Sequence, residues 1–353
     1  MVVSGVPTLI PEVANYTDYL RNDLEIAVIG FGKMGILHSA TLSLLMPGCV
    51  KAVVDKSRLL TFGASKFMKS PKFYRNARDM LKTEDPDVVY VTTPAQSHYA
   101  IVSELVETGV RYIFVEKPPT TNSNELMTII DKMQSNQLVM VGLQKRYSLP
   151  FRHARMLLSN SIIGDIEEVH AQMKSSDIMA PTTRFDRLGK GVLLDSGVHL
   201  VDLLVWIFGT CTTEKSSCRS IHTHVDDYAK AALKTGDEAQ VTLEVTWSSP
   251  EHRLPETLLD IHGSRGVLRV TEDYLKVNCT ESHPLLGDET QLERYKPDYY
   301  RSLPPVNLAD PEYTLENIHF LFSINSSAEP LTSLRSTCQT MELVDELYRK
   351  ASE

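Results

Sequence analysis

Between residues 25 and 55 a short apolar run, a glycine-punctuated turn, a helix-length stretch and a second apolar run follow one another and end on an acid. Ile26, Ala27, Val28 and Ile29 form the continuous apolar run expected of a strand buried on both faces in a parallel sheet. Gly30, Gly32 and Gly35 follow at the spacing G-x-G-x-x-G. The first glycine allows a tight turn, the second a close approach of main chain to a pyrophosphate, and the third close packing of the next helix on the strand. That helix is expected from Lys33 to Leu45, stopped by Met46-Pro47-Gly48. Its N-terminus offers unpaired N–H groups and the positive end of a dipole to an anion. A second strand, Val50 to Val54, ends on Asp55, twenty residues beyond Gly35, where a carboxylate can accept from a ribose hydroxyl. Glycines at this spacing also mark ordinary turns. Strand, turn, helix, strand and terminal acid in register predict a dinucleotide site.

The pattern continues downstream. A helix-like stretch (Arg58 to Met68) follows, then Asp87-Val-Val-Tyr-Val ending in Thr92-Thr93-Pro94, and a helix from Ser97 to Glu107. Strand Tyr112–Val115 runs into Glu116-Lys117-Pro118, and Leu126–Met133 and Leu138–Val141 add a helix and a strand. Strands alternating with helices predict a doubly wound parallel sheet, with ligands beyond the strand C-terminal ends, where Thr93, Pro94, Glu116 and Lys117 fall. After about residue 143 the character changes. A helix at Phe151–Leu158, a strand at Ile166–Met173 and a helix at Leu194–Phe208 lead into alternating stretches at 229–234, 240–247, 257–261, 267–270 and 275–277. These read as a mainly antiparallel sheet. Residues 281–312, rich in proline and polar side chains, read as a long surface loop, and 334–351 as an amphipathic helix. The expected organisation is an N-terminal extension (1–24), a Rossmann domain (25–143) and an α+β domain (144–353) that binds substrate and carries oligomer contacts, the fold class being α/β plus α+β.

The net charge of −9 disfavours nucleic acid or an anionic membrane as partner, since both reward clustered Lys and Arg. Five scattered cysteines without a C-x-x-C pair fit reduced thiols in a cytoplasmic protein. No stretch is apolar for long enough to span a bilayer, and residues 1–24 lack the basic start and apolar core of a secretory signal.

Two groups of residues can do chemistry. In Gly191-Val-Leu-Leu-Asp195-Ser-Gly197-Val-His199-Leu-Val-Asp202, helical spacing brings Asp195, His199 and Asp202 toward one face. A carboxylate beside an imidazole can orient it and raise its basicity, as a general base needs. The bland alternative is an acid in a first helical turn beside an inert histidine. A metal site of the three lacks further supporting ligands, so no metal is expected. Lys117, at a strand end beside the nicotinamide half of the site, can donate to a substrate oxygen, and its bond to Pro118 is open to the cis form. His222 and His224 alternate as on a strand and receive no metal; Trp206 and Trp247 read as core; Arg184, Arg187 and Arg253 read as solvated.

Taken together, these residues resemble the glucose–fructose oxidoreductase/inositol dehydrogenase/rhizopine catabolism (Gfo/Idh/MocA) family. The matching pieces are Gly30-Phe-Gly-Lys-Met-Gly35, Thr93-Pro94 with His98, Glu116-Lys117-Pro118, Gly142 to Arg146, Gly164-Asp-Ile, Gly191 to Asp202 and the turn Gly263-Ser-Arg-Gly266. The resemblance implies NAD(P)-dependent oxidation of a secondary hydroxyl on a sugar, sugar nucleotide or cyclitol, or reduction of the matching ketone. It implies Lys117, Asp195 and His199 as the catalytic group. It also implies that Gly30, Gly32 and Gly35 hold the pyrophosphate, that Asp55 holds the adenosine ribose, and that Thr93, Pro94, Glu116 and Gln144 hold the nicotinamide half, with Phe31, Lys33, Met34 and His98 also expected to bind cofactor. A homodimer or homotetramer, paired through the open face of the second sheet, is implied as well. Lys190 departs from the pattern, standing where members often carry another glycine, and so does the 24-residue extension. Two other activities fit the same fold: a redox-neutral NAD-dependent glycosidase and a non-catalytic NAD-binding regulator, though a regulator has no need of Lys117, Asp195 and His199 together.

Asp55 favours NAD over NADP by repelling a 2′-phosphate, with Lys56 and Arg58 near enough to soften the preference. Asp55→Ala should therefore narrow the ratio of NAD to NADP dissociation constants; an unchanged ratio would remove Asp55 from this role.

Overall fold

Valine-rich runs too apolar to face water on either side need helices above and below them, and the first half of the chain builds that arrangement. The computed structural model describes residues 16–21, 23–57, 63, 66, 71–183, 189–301 and 306–353. The elements begin β1 (Ile26–Ile29), α1 (Lys33–Leu45), β2 (Val50–Val54), β3 (Lys72–Tyr74), α2 (Ala77–Leu81), β4 (Val88–Val91), α3 (His98–Glu107), β5 (Tyr112–Glu116), α4 (Ser123–Lys132) and β6 (Leu138–Gly142). They continue α5 (Leu149–Ser159), β7 (Ile166–Lys174), α6 (Val192–Asp195), α7 (Gly197–Phe208), β8 (Cys211–Arg219), β9 (Tyr228–Thr235) and β10 (Gln240–Thr246). Last come β11 (Glu256–Gly263), β12 (Gly266–Val270), β13 (Tyr274–Cys279), β14 (Gln291–Tyr295), α8 (Lys296–Tyr300), α9 (Pro311–Ser326) and α10 (Cys338–Ala351).

Two compact units result. One contains the described residues up to 144 and those of 302–338; the other contains the described residues of 145–301 and 339–353. The first is a six-stranded, all-parallel sheet in the order β3-β2-β1-β4-β5-β6. Every residue of β1, β4 and β5 is buried. The winding reverses between β1 and β4, the position at which doubly wound sheets open a crevice for ligand. Helix α9 returns to this unit, with Phe320 meeting the rings of Tyr90 and Phe114 at 5.9 Å each.

The second unit is an eight-stranded sheet, β14-β13-β12-β11-β7-β10-β9-β8, antiparallel except for the parallel pair β7–β10. Period-two alternation gives it one apolar face, on which Val169, Ala171, Val241, Leu243, Val245, Leu259 and Ile261 are buried. The ion pair Lys174–Glu244, 2.9 Å, bridges the parallel pair. Helices α5 and α7 pack against this sheet.

Several expectations needed correction. The loop expected over 281–312 contains strand β14 and helix α8. β14 is a polar edge strand, and Pro297 sits in the first turn of α8, where a missing N–H costs nothing. His222 and His224 lie not on a strand but in a bend between β8 and β9. There the Asp227 carboxylate accepts the N–H groups of Ile221 at 2.8 Å and His222 at 2.6 Å, which a strand would give to a neighbour. Trp247 is buried but Trp206 only half so, with the Arg155 guanidinium 4.8 Å above its ring. Of the helix expected over 58–68 only Gly63 and Lys66 are described, both helical, and Arg184 and Arg187 lie outside the described residues.

The most completely buried ion pair joins Arg146 to Asp202, with Nε and Nη2 donating to the two carboxylate oxygens at 2.8 and 2.6 Å. The Thr340 hydroxyl donates to the same carboxylate at 2.9 Å. Arg146→Met would leave that carboxylate buried without its cation and should lower unfolding stability by about 3–5 kcal/mol. The check is the shift in urea midpoint; a loss below about 1 kcal/mol would show that the pair behaves as a surface bridge.

Candidate functional site

The cofactor cradle is built by steric exclusion. Gly30 turns the chain out of β1 at φ +96°, where an L side chain is strained. A Cβ on Gly35 would lie 2.0 Å from the Gly30 carbonyl oxygen, so α1 can leave the strand this closely only with glycine there. Thr92, at the end of β4, closes the crossing by donating its hydroxyl to the Gly30 carbonyl at 2.6 Å. Gly32 differs: among the described residues no atom lies within 4 Å of its Cβ position. It is exposed beside the N-terminus of α1, which has no side-chain cap, so the free N–H groups face open space. Lys33 and Met34 begin α1, while the Phe31 ring is buried edge-on against Phe73 at 6.5 Å. Asp55 stands beyond β2 and accepts from Phe31 N–H and Ser57 N–H, each at 2.7 Å, so it also braces the glycine turn.

The remaining predicted residues of this unit sit at the same C-terminal strand edge. Half-buried Thr93 and exposed Pro94 follow β4. Glu116 ends β5, its Oε2 accepting Lys117 N–H at 3.1 Å, and the Lys117–Pro118 bond is cis. His98 is buried, with Nδ1 2.8 Å from the Pro118 carbonyl and Nε2 2.6 Å from the Thr93 carbonyl. Its ring ties the two strand-end loops together; burial lowers its basicity, and the two carbonyls pull in the opposite direction. Gln144, beyond β6, donates to the Tyr313 hydroxyl at 3.2 Å. These residues fit a dinucleotide: the glycines leave room, the helix offers N–H groups, and the Asp55 carboxylate stands at the end of β2 beside the glycine turn.

In the other unit the Asp–His segment is interrupted. Asp195 ends α6, Ser196 intervenes, and His199 lies in the first turn of α7 with its N–H bonded to Ser196 O at 3.1 Å. The single helix expected from Leu194 is therefore two pieces, and Trp247 Nε1 donates to the Ser196 hydroxyl at 2.8 Å where they join. Asp195 is half-buried, whereas His199 is 4% exposed. Asp202 does not join them as a ligand, since Arg146 and Thr340 hold its carboxylate.

Sequence reasoning missed how α6 is held. Asp226 accepts the N–H groups of Gly191 at 2.9 Å and Leu193 at 3.0 Å through its carboxylate, and of Val192 at 2.6 Å through its carbonyl. Tyr348 on α10 donates its hydroxyl to the same carboxylate at 3.1 Å and accepts Leu194 N–H at 3.2 Å. A Cβ at Gly191 would fall 1.9 Å from the Asp226 carbonyl, so the glycine at this position is the trace that the close approach leaves in the sequence. Lys190 pairs with Asp345 at 3.3 Å and lies 4.8 Å over the Tyr348 ring. Arg253 is exposed.

Fold and cradle together define an oxidoreductase class: a parallel dinucleotide-binding sheet joined to an open, mostly antiparallel one. Residues 24–143 match the family model for an NAD-binding Rossmann fold of the oxidoreductase family, and residues 151–269 match the C-terminal domain of the same GFO/IDH/MocA group. The chain belongs to the Gfo/Idh/MocA family and carries its NAD-binding domain. A D-apiose dehydrogenase of Paraburkholderia graminis is 23% identical over 287 residues, 80% of this chain and 75% of that protein. An inositol 2-dehydrogenase/D-chiro-inositol 3-dehydrogenase of Lacticaseibacillus casei is 26% identical over 235 residues, 63% of this chain and 66% of that protein. Among solved structures, a levoglucosan dehydrogenase in complex with NADH superposes with a TM-score of 0.80 at 20% identity, over 93% of this chain and 97% of its own, a likeness of fold.

Gly32→Ala should fold normally, since its Cβ meets no described atom, yet bind NAD roughly tenfold more weakly or worse if, as the glycine spacing predicts, a pyrophosphate approaches there. Gly35→Ala should lose both thermal stability and NAD binding. Calorimetric titration beside thermal denaturation separates the two, and full NAD affinity in Gly32→Ala would refute the cradle.

Proposed function

We propose that the protein is an NAD-dependent dehydrogenase, with NADP the weaker cofactor. It transfers hydride between nicotinamide and a secondary hydroxyl, or its ketone, on a sugar, sugar nucleotide or cyclitol. The observation that carries this reading is the presence of Lys117, beside Glu116, at the C-terminal edge of a sheet whose glycine turn fits a dinucleotide. Membership of a family whose relatives include apiose and inositol dehydrogenases supports the substrate class.

Bound NAD would supply the hydride acceptor. The chain's own residues would handle the proton and the oxygen. Lys117 would hydrogen-bond the reacting oxygen and steady negative charge as it develops there. His199 would take the hydroxyl proton on a ring nitrogen, and in reduction return it. Asp195 would orient the substrate or the imidazole. The capped start of α6 supports this assignment, because Asp226 and Tyr348 hold that helix in place from outside. The same reading includes a homo-oligomer, open to measurement by light scattering.

Absorbance at the reduced-nicotinamide band, with NAD and then NADP across inositols, free sugars and nucleotide sugars, tests the activity. Signal with one class establishes the dehydrogenase and its substrate; silence with NAD bound points to the redox-neutral or regulatory activity instead. His199→Ala should lower kcat by about 10²–10⁴-fold and leave NAD affinity nearly unchanged. Comparable loss of both would mark a structural histidine.

A further inference from the structure

Behind Glu116, inside the NAD-binding unit, lies a fully buried polar cluster that the proposed chemistry does not use. His38 on α1 is 0% exposed and boxed by the rings of Phe114 at 4.8 Å and Tyr90 at 5.5 Å. Its Nε2 lies 3.0 Å from Glu116 Oε1. Its Nδ1 lies 3.0 Å from Asn317 Nδ2 and 3.3 Å from Asn317 Oδ1, on α9.

The hydrogen-bond partners fix the protons. Asn317 Nδ2 donates to the Tyr313 carbonyl at 2.6 Å, and a carbonyl only accepts, so the amide cannot be turned the other way round. Asn317 Oδ1 accepts from the Tyr90 hydroxyl at 2.9 Å. The second Nδ2 hydrogen is then directed at His38 Nδ1, which must be the lone-pair nitrogen. Nε2 therefore carries the proton and donates it to Glu116. Glu116 receives two donors, His38 Nε2–H on Oε1 and Lys117 N–H on Oε2, and its carboxylate is held at the strand end.

We propose that His38 and Asn317 are positioning residues of the cofactor site: Asn317 sets His38 as a neutral Nε2–H imidazole, which aims the Glu116 carboxylate toward the nicotinamide half of NAD. The proposal rests on the reading that Glu116 serves the nicotinamide half.

The other titratable groups facing the cluster agree. Glu316, also on α9 and fully buried, has neither carboxylate oxygen hydrogen-bonded. Burial first, then the nearby Glu116 and Glu312, push its carboxyl well above the usual range. Tyr313 is pushed up by burial and by the same carboxylates, so it stays a phenol. The one imidazole donor of His38 is directed at Glu116, not at Glu316. His38, Glu116 and Glu316 bring one ligand atom each within 4.8 Å of one another, a spacing a divalent cation could also bridge. Both His38 nitrogens are already engaged, which favours the network over the ion.

The test compares dissociation constants for NAD and for ADP-ribose, which lacks the nicotinamide ring. In Asn317→Leu and His38→Gln, NAD should weaken by roughly tenfold or more while ADP-ribose binding holds within about twofold. Equal weakening of both, or of neither, overturns the proposal. Glu116→Gln serves as the control on the underlying reading. If it shifts the ratio and the His38 and Asn317 variants do not, only the proposal fails; if it leaves the ratio unchanged, both fail. Should the variants not fold, nitrogen-15 spectra of wild-type histidine side chains decide. A neutral Nε2–H tautomer for His38 supports the network, and an Nδ1–H tautomer or an imidazolium overturns it. Stoichiometric zinc retained by wild type and lost in Glu316→Gln would also overturn it.

Discussion

The crossing of β1, α1 and β4 leaves no space for a side chain, and the rest of the cofactor site is hung from it. Gly35 meets the Gly30 carbonyl, and Gly30 in turn lies against the main chain of Thr92 and Thr93, 2.8 Å from where its Cβ would be. Because those contacts are main chain against main chain, they cannot be relieved by a rotamer change. Their tightness sets where β4 ends, hence where Thr93 stands. His98 then carries that position across to Pro118 and so to the strand end bearing Glu116 and Lys117. This main-chain contact is thereby transmitted through two strand ends to the residues proposed to do chemistry.

Buried polarity is handled in three ways. Arg146 and Asp202 cancel as a bidentate pair, an arrangement costly to break and modest in net gain. Asp226 spends its carboxylate on the free N–H groups at the start of α6, where the helix dipole favours it. His38 and Asn317 form a hydrogen-bonded network that runs from the Tyr90 hydroxyl to the Glu116 carboxyl group. In each case the carboxyl group is matched by a specific donor, the condition under which burial in a low-dielectric interior is tolerated.

Much of the fold was legible because burial on both faces writes itself as unbroken apolar runs: β1, α1 and β2 fall where those runs and the glycine turn placed them. The strand-end residues could be named for the same reason. The missed elements lack that signature. β8 carries Thr212, Glu214 and Lys215 at an edge of its sheet, and β14 is polar throughout apart from Leu292 and Tyr295, so neither shows a core-facing stripe. α9 fails in the opposite sense: buried on nearly all sides, with polar Glu316 and Asn317 facing inward, it has no solvent face to give it a period. The break at Ser196 left no trace either, since helical φ and ψ persist through it while the hydrogen-bond ladder tightens. His38 and Asn317 stand 279 positions apart, and no local pattern announces a pair at that separation.

The return of α9 to the first sheet bears on how the chain comes off the ribosome. When residues up to 144 have emerged, Tyr90, Phe114 and His38 still lack the aromatic and amide partners that Phe320 and Asn317 will bring. The nucleotide-binding unit must wait, part-made, while the whole antiparallel sheet is translated in between. Its last helix, α9, comes only after all the strands of that sheet in the chain. Until α9 arrives, a nascent chain of this kind exposes an unfinished apolar surface, and the interval is one in which a chaperone has something to hold.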